Sequence, residues 1–167
     1  MKTINRALVT LAFCVAGGAT SAQMLGKDLY AEVGVLDLQV EGSTSTRKPL
    51  LGRVIVGQDL NRNLSVEGLA GFTLRKDAGV STTTYGAFLK PKMEVVKDVD
   101  VFGRIGVAHT ENKTDGGSSG TTKVAYGVGV QTVLTKSIYT QIDYMRYGKD
   151  DQGKSDKGFT FSAGYRF

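Results

Sequence analysis

The 167-residue chain holds a single cysteine, Cys14, a single histidine, His109, and only two prolines. Cys14 falls within a leader-like start, so the rest of the chain has no thiol for a disulfide or a cysteine-ligated metal, and redox chemistry is excluded. One histidine without a Cys/His cluster argues in the same way against a zinc or transition-metal site, and no cofactor is expected. No stretch beyond the leader reaches the roughly eighteen consecutive apolar residues of a membrane-spanning helix. Charge of one sign is also scarce. Lys and Arg number 21 against 16 Asp and Glu, a formal net charge of +5, which falls to +3 when Lys2 and Arg6 leave with the leader. That balance is too mild and too scattered for a nucleic-acid footprint.

What is present begins with an export signal. Lys2 and Arg6 form a positive start, Ala7 to Ala16 an apolar stretch too short to span a bilayer, and Thr20-Ser21-Ala22 a run of small residues at the cleavage positions. Residues 1–22 are therefore predicted to be a cleaved secretory signal peptide and residues 23–167 a single domain. Gly17 and Gly18 interrupt the apolar run and polar residues follow, which argues against an anchoring helix. Bulky Phe13 before Cys14 argues against lipidation.

The remainder is glycine-rich and alternates between apolar and polar positions nearly throughout. Eight such segments follow one another: Leu29 to Val40, Leu50 to Gln58, Leu64 to Leu74, Thr82 to Val96, Val99 to Thr110, Thr122 to Leu134, Ile138 to Tyr147 and Gly158 to Phe167. Between them lie alternately long and short connections. The long ones are polar: Glu41 to Lys48, Arg75 to Gly79, Glu111 to Gly120 and Gly148 to Lys157. The short ones are Asp59 to Asn63, Lys97-Asp98 and Thr135 to Ser137. Eight strands so connected predict an all-β fold, an eight-stranded antiparallel up-and-down transmembrane β-barrel. Strands of about 10 residues match the height of the apolar band when tilted. Both termini then lie at the periplasmic rim.

A soluble barrel would also alternate, but with apolar residues inside, so the sign of the alternation matters. In the third segment Leu64, Val66, Gly68, Ala70, Phe72 and Leu74 oppose Ser65, Glu67, Leu69, Gly71 and Thr73. One face of every segment is free of charge at mid-strand. It is assigned to lipid, because a charge at the bilayer midplane costs ~2 to 4 kcal/mol. The other face carries Glu32, Arg53, Glu67, Lys90, Arg104 and Asp143. An eight-stranded barrel is just wide enough for side chains to fill, so these six are expected to form an interior ion-pair network, with Glu67 beside Arg53 on the neighbouring strand. A gated ion path is the alternative reading of the same residues.

The closing segment places Phe159, Phe161, Ala163, Tyr165 and Phe167 on one face and Thr160, Ser162, Gly164 and Arg166 on the other. This ending resembles the terminal-strand signal of bacterial outer-membrane barrels, which implies that Phe159, Phe161, Tyr165 and Phe167 are read by the barrel assembly machinery. Together with Tyr126 to Gln131 and Ile142 to Tyr147, it resembles the OmpA-type and OmpX/Ail-type small barrels over the whole of residues 23–167. The resemblance implies a monomer in the cell outer membrane of a Gram-negative bacterium, in contact with membrane lipid and lipopolysaccharide. It also implies a role played through extracellular loops in envelope integrity, adhesion or host interaction, with a host surface ligand as a candidate partner. The chain ends at Phe167, so the cell-wall tethering of OmpA-type proteins is not expected.

Two other classes are weighed against this. A porin-like channel for ions or small solutes would use the interior charges. A lipid A-modifying barrel enzyme would need a nucleophile, a base and an orienting acid. His109 shares a face with Glu111, but no serine stands at the His-x-Ser spacing and Thr110 points the other way, so no catalytic residue is assigned and the protein is read as not an enzyme. The loop cations Arg47, Lys48, Arg75, Lys76, Lys113, Lys149, Lys154 and Lys157 are candidates for lipopolysaccharide phosphates, interleaved with Asp77, Asp115, Asp150, Asp151 and Asp156.

Overall fold

The computed structural model describes residues 28–41, 46–47, 50–75, 81–114, 117–148 and 156–167. The expected leader, 1–22, and the cations Lys48, Lys76, Lys149 and Lys154 lie outside the described residues. Alternating sequence with β-branched and aromatic residues every second position gives eight strands. They are β1 (Leu29–Glu41), β2 (Leu50–Asn61), β3 (Leu64–Arg75), β4 (Ser81–Val96), β5 (Val99–Thr114), β6 (Gly117–Val133), β7 (Ile138–Tyr147) and β8 (Asp156–Arg166). Each pairs antiparallel with its sequence neighbours, and β1 pairs with β8, so the sheet closes on itself. Closure leaves no long exposed edge, the condition for a sheet in hydrocarbon.

The register fixes the barrel's shape. Leu29 on β1 faces Gln58, which faces Val66, Leu89, Ile105, Tyr126, Arg146 and Lys157 in turn, and Lys157 faces Gln39 back on β1. One circuit therefore climbs from Leu29 to Gln39 of the same strand, a stagger that tilts the strands by roughly 40° to the axis. Leu29 and Phe167 meet at one rim, where the Phe167 N–H donates to the Leu29 carbonyl at 3.0 Å.

That rim also holds the tight turns. Arg62-Asn63 joins β2 to β3, with the Asn61 side chain accepting from the Asn63 N–H at 2.8 Å. Lys97-Asp98 joins β4 to β5, with Asp98 at φ 65°, a left-handed conformation that Asp tolerates.

Three connections differ from the sequence expectation. The turn expected over Asp59 to Asn63 shrinks to two residues because β2 continues to Asn61. The polar stretch Glu111 to Gly120, expected as a loop, is mostly a continuation of β5 and β6, with Glu111 opposite Gly120 and Thr114 opposite Gly117. Within the segment Glu41 to Lys48, Thr46–Arg47 makes a two-residue antiparallel ladder with Val40 and Glu41. The cause is common to all three. Apolar alternation is needed only where lipid touches the strand, while backbone pairing continues beyond it. For the same reason Lys113 and Lys157, expected in loops, sit within β5 and β8.

The sign of the alternation is that of a membrane barrel. Val56, Val128, Ile142, Phe159 and Phe161 are exposed on the outer wall, while Glu32, Arg53, Glu67, Lys90, Arg104 and Asp143 are buried. A water-facing wall with so much exposed apolar surface would aggregate; a lipid-facing one is solvated by hydrocarbon. Inside, toward the rim away from the termini, Leu36, Leu51, Leu69, Met145 and Tyr147 form an apolar layer.

Candidate functional site in the barrel lumen

The parity that turns Val33, Val54 and Ile142 outward turns their neighbours inward, and all six charged residues singled out in the sequence lie in the lumen at 1–2 % exposure. Three cations meet three carboxylates. Arg104, on β5, donates from Nε to Glu67 Oε2 at 2.5 Å and from Nη2 to Glu67 Oε1 at 3.1 Å. Its guanidinium also lies 3.6 Å from Glu32 and 3.3 Å from Asp143. Arg53 forks onto Asp143 with two hydrogen bonds, Nη1 to Oδ1 at 2.8 Å and Nη2 to Oδ2, and Nη2 reaches Ser162 Oγ at 3.1 Å. Lys90 Nζ lies 3.3 Å from Glu32 and 3.5 Å from Glu67 and donates to Gln131 at 3.1 Å and Gln141 at 3.0 Å. Its ammonium also sits 4.3 Å from the centre of the Phe102 ring.

One pairing differs from expectation. Glu67 was expected to meet Arg53, but Glu67 faces Gly57 on β2 and Arg53 faces Gly71 on β3. The two are four residues apart along the ladder, about 13 Å. Arg53 instead crosses the lumen to Asp143, and Glu67 is held by Arg104.

Neutral donors that the sequence reading did not single out complete the network. Tyr30 OH donates to Glu67 at 2.8 Å, Tyr139 OH donates to Glu32 at 2.8 Å, and Gln141 Nε2 donates to Glu32 Oε2 at 2.7 Å. Each stands two residues from a charge on its own strand or shares its face, so strand parity was the signal available. The two tyrosines reach because a glycine lies opposite each, Gly57 against Tyr30 and Gly164 against Tyr139. A Cβ on Gly57 would stand 2.3 Å from the Tyr30 ring, and one on Gly164 would stand 2.2 Å from the Tyr139 ring. A cross-strand glycine thus gives the aromatic ring room to lie flat against the wall.

At the rim of the termini, Asp59 accepts from Lys92 at 2.6 Å and from Ser65 at 2.5 Å. Asp59 and Lys92 line a recess with Asp28, Arg62, Asp100 and Arg166 to which none of the six central charges contributes. Among the described residues no three His, Cys, Asp or Glu side chains gather as a metal site. His109 faces outward on β5, its ring 5.1 Å from that of Tyr85 and its Nδ1 2.8 Å from Thr122 Oγ1. Glu111, on the same face, pairs instead with Lys113 at 3.6 Å. Phe159, Phe161, Tyr165 and Phe167 are all exposed on the outer wall of the closing strand.

Residues 7–167 match the family model described as the outer membrane protein beta-barrel domain. The chain belongs to that family. It is thus an outer-membrane barrel, and its place is the outer membrane. Among solved structures, it is similar to Neisserial surface protein A at 16 % identity, covering 83 % of this chain and 97 % of that one with a TM-score of 0.65. It is similar to Ail, the attachment invasion locus protein of Yersinia pestis, at 19 % identity over 85 % of this chain and 100 % of that one, TM-score 0.61. The N-terminal barrel domain of Pseudomonas aeruginosa OprF matches at 13 % identity, 83 % of this chain and 97 % of that one, TM-score 0.65. At these identities the likeness is one of fold. No match was found among curated protein sequences.

Proposed function

We propose that this outer-membrane barrel is a non-catalytic scaffold whose membrane part is sealed and whose extracellular segments act in envelope integrity, adhesion or host contact. The observation that carries the reading is the neutralised lumen. Three buried cations meet three buried carboxylates at mid-barrel, and the apolar layer of Leu36, Leu51, Leu69, Met145 and Tyr147 covers them on one side. An ion entering would have to displace partners that satisfy one another in a low dielectric, at a cost of several kcal/mol. The surroundings of His109 also support a non-catalytic role, because its ring nitrogen is engaged by Thr122 and the acid on its face is engaged by Lys113.

The proposal includes cleavage after residue 22, both termini in the periplasm, a monomeric state, and reading of the Phe159, Phe161, Tyr165 and Phe167 stripe by the assembly machinery. Contact with lipopolysaccharide and with a host surface ligand belongs to it as well. Ail of Yersinia pestis has been crystallised with the heparin analogue sucrose octasulfate, which supports a polyanion as a class of extracellular ligand to try. Planar-bilayer recording together with deletion of segments 42–49, 76–80 and 149–155 tests the reading. Small, irregular conductance with loss of adhesion or serum survival on deletion is expected. Large, ion-selective steps with phenotypes indifferent to the deletions would replace the scaffold with a channel.

A further inference from the structure

The apolar layer covers the ion-pair network on the side away from the termini, whereas the side toward them opens into the recess lined by Asp59 and Lys92. That recess measures about 620 Å³, far more than a few waters need at about 30 Å³ each. Its charges do not balance. Asp59 is paired with Lys92 at 2.6 Å, which leaves Asp28, Glu94, Asp98 and Asp100 against Arg62 and Arg166, two negative charges in excess. None of those four carboxylates makes an ion pair among the described residues. Glu94 and Asp100 are direct register partners on the face that Lys92 and Phe102 turn inward, and like charges so placed repel. Asp100 accepts from Gln131 Nε2 at 3.2 Å and Glu94 from the Asp98 N–H at 3.3 Å, neutral donors that leave the repulsion in place. Arg166, half-buried on the same lining, has an Nε without a hydrogen-bond acceptor among the described residues.

We propose that the segment Gln23-Met24-Leu25-Gly26-Lys27 lies across this recess and closes the mouth of the barrel at the rim of the termini. The chain enters the barrel at Asp28, which itself lines the recess, so Lys27 starts at its edge. Eight strands about 4.8 Å apart and tilted by roughly 40° make a mouth about 16 Å across between backbones. Five extended residues reach about 17 Å. The segment therefore spans the mouth and brings the α-amine of Gln23 to the far side, where Glu94 and Asp100 stand on β4 and β5. Removal of the leader creates that amine, and together with Lys27 it supplies the two positive charges that the lining lacks. Met24 and Leu25 meet Val133, an apolar residue of the lining that packs on the buried core. A stretch of peptide fits better than an inorganic cation, because its backbone carbonyls give Arg166 Nε an acceptor and a cation cannot. The inference deepens the reading of a sealed scaffold by naming its second cover, and it rests on cleavage after residue 22 for one of the two charges.

Cys14 leaves with the leader, so introduced cysteine pairs report proximity in the full-length mature protein without background. Under mild oxidation in nanodiscs, Met24→Cys/Val133→Cys is expected to form a disulfide within one chain. Met24→Cys/Ile138→Cys, whose second site is at the same rim but on the outer wall, is expected to form none. Adding Glu94→Gln/Asp100→Asn, or Lys27→Glu, should slow the first disulfide by about five-fold. Heat-dependent gel mobility reports whether each variant is folded. If Val133→Cys is not, aminopeptidase digestion of the cysteine-free protein gives the same answer, slow in wild type and about five-fold faster in Glu94→Gln/Asp100→Asn. Equal disulfide formation at Val133 and Ile138, or rates indifferent to the charge changes, overturns the proposal. Intact mass of the exported protein reads the cleavage separately: a start other than Gln23 fails the cleavage reading, and the Met24 disulfide then decides the seating by itself.

Discussion

Arg53 on β2 and Asp143 on β7 join across the lumen by a two-pronged guanidinium–carboxylate contact between residues 90 positions apart in the chain. Breaking one member of a buried pair strands the other charge, typically at ~3 to 5 kcal/mol. Asp143→Ala is expected to lower the urea midpoint of the folded barrel in detergent by a corresponding amount, with a further Arg53→Ala adding much less than it does alone. Fully additive losses would show that the two do not interact.

The network also divides in a way that a double-mutant cycle can read. Glu67 and Arg104 share two hydrogen bonds, at 2.5 and 3.1 Å, whereas Glu67 and Arg53 share none of those described. The coupling energy of Glu67→Gln with Arg104→Gln is expected to exceed about 1 kcal/mol and to be clearly larger than that of Glu67→Gln with Arg53→Gln. The reverse order would mean that the lumen is arranged differently.

Filling the glycine opposite a tyrosine should cost as much as an overpacked core. Gly164→Val drives methyl groups into the Tyr139 ring, and a loss of ~1 to 3 kcal/mol is expected, partly recovered in Gly164→Val/Tyr139→Leu. Equal stability of Gly164→Val and wild type in urea titration would contradict the flat ring placement.

On the outer wall, Val128 and Ile142 are exposed and face each other's strands near mid-height. Replacing Val128 with Arg is expected to destabilise the barrel in lipid vesicles by ~2 to 4 kcal/mol, and much less in short-chain detergent. A similar loss in both media would point to a packing effect instead.

Deleting Phe167 should act on biogenesis more than on the finished fold. Its ring stacks edge-on against Tyr165 at 5.2 Å, and its N–H meets the Leu29 carbonyl, a modest contribution at the end of a strand. Reduced outer-membrane levels with a near-unchanged urea midpoint of the refolded protein is the expected pair of results, read by surface labelling and by titration. Normal surface levels would remove Phe167 from the assembly signal.

Much of this arrangement was legible in the chain because strand parity is a two-state variable. Once Val66 and Ala70 are outside, Glu67 and Leu69 are inside, and the same step sorted Gln141 and Asp143 from Ile142. Which charges meet was not legible. Neighbouring strands are offset by their turns, so that Arg53 faces Gly71 rather than Glu67, and contacts across the lumen depend on the stagger summed over all eight strands. Alternation also marks only the part of a strand that lipid touches. Lys113 and Ser118 are therefore register partners in a ladder although nothing apolar announces them as strand.

The closing seam has a consequence for the order of folding. β1 and β8 are paired over ten positions, from Tyr30 opposite Arg166 to Gln39 opposite Lys157, so the first strand made is the last to find its second neighbour. Until then Glu32 on β1 lacks the Tyr139 and Gln141 hydroxyl and amide brought round from β7, and Arg53 lacks Asp143. An open, half-wound sheet would offer bare charges to the bilayer on one flank and unpaired backbone on the other. Contacts so distant in sequence also make for a slow search. Insertion and closure are therefore expected to be one concerted event rather than successive ones, with a rate that depends on the last strand far more than its small share of the contacts would suggest.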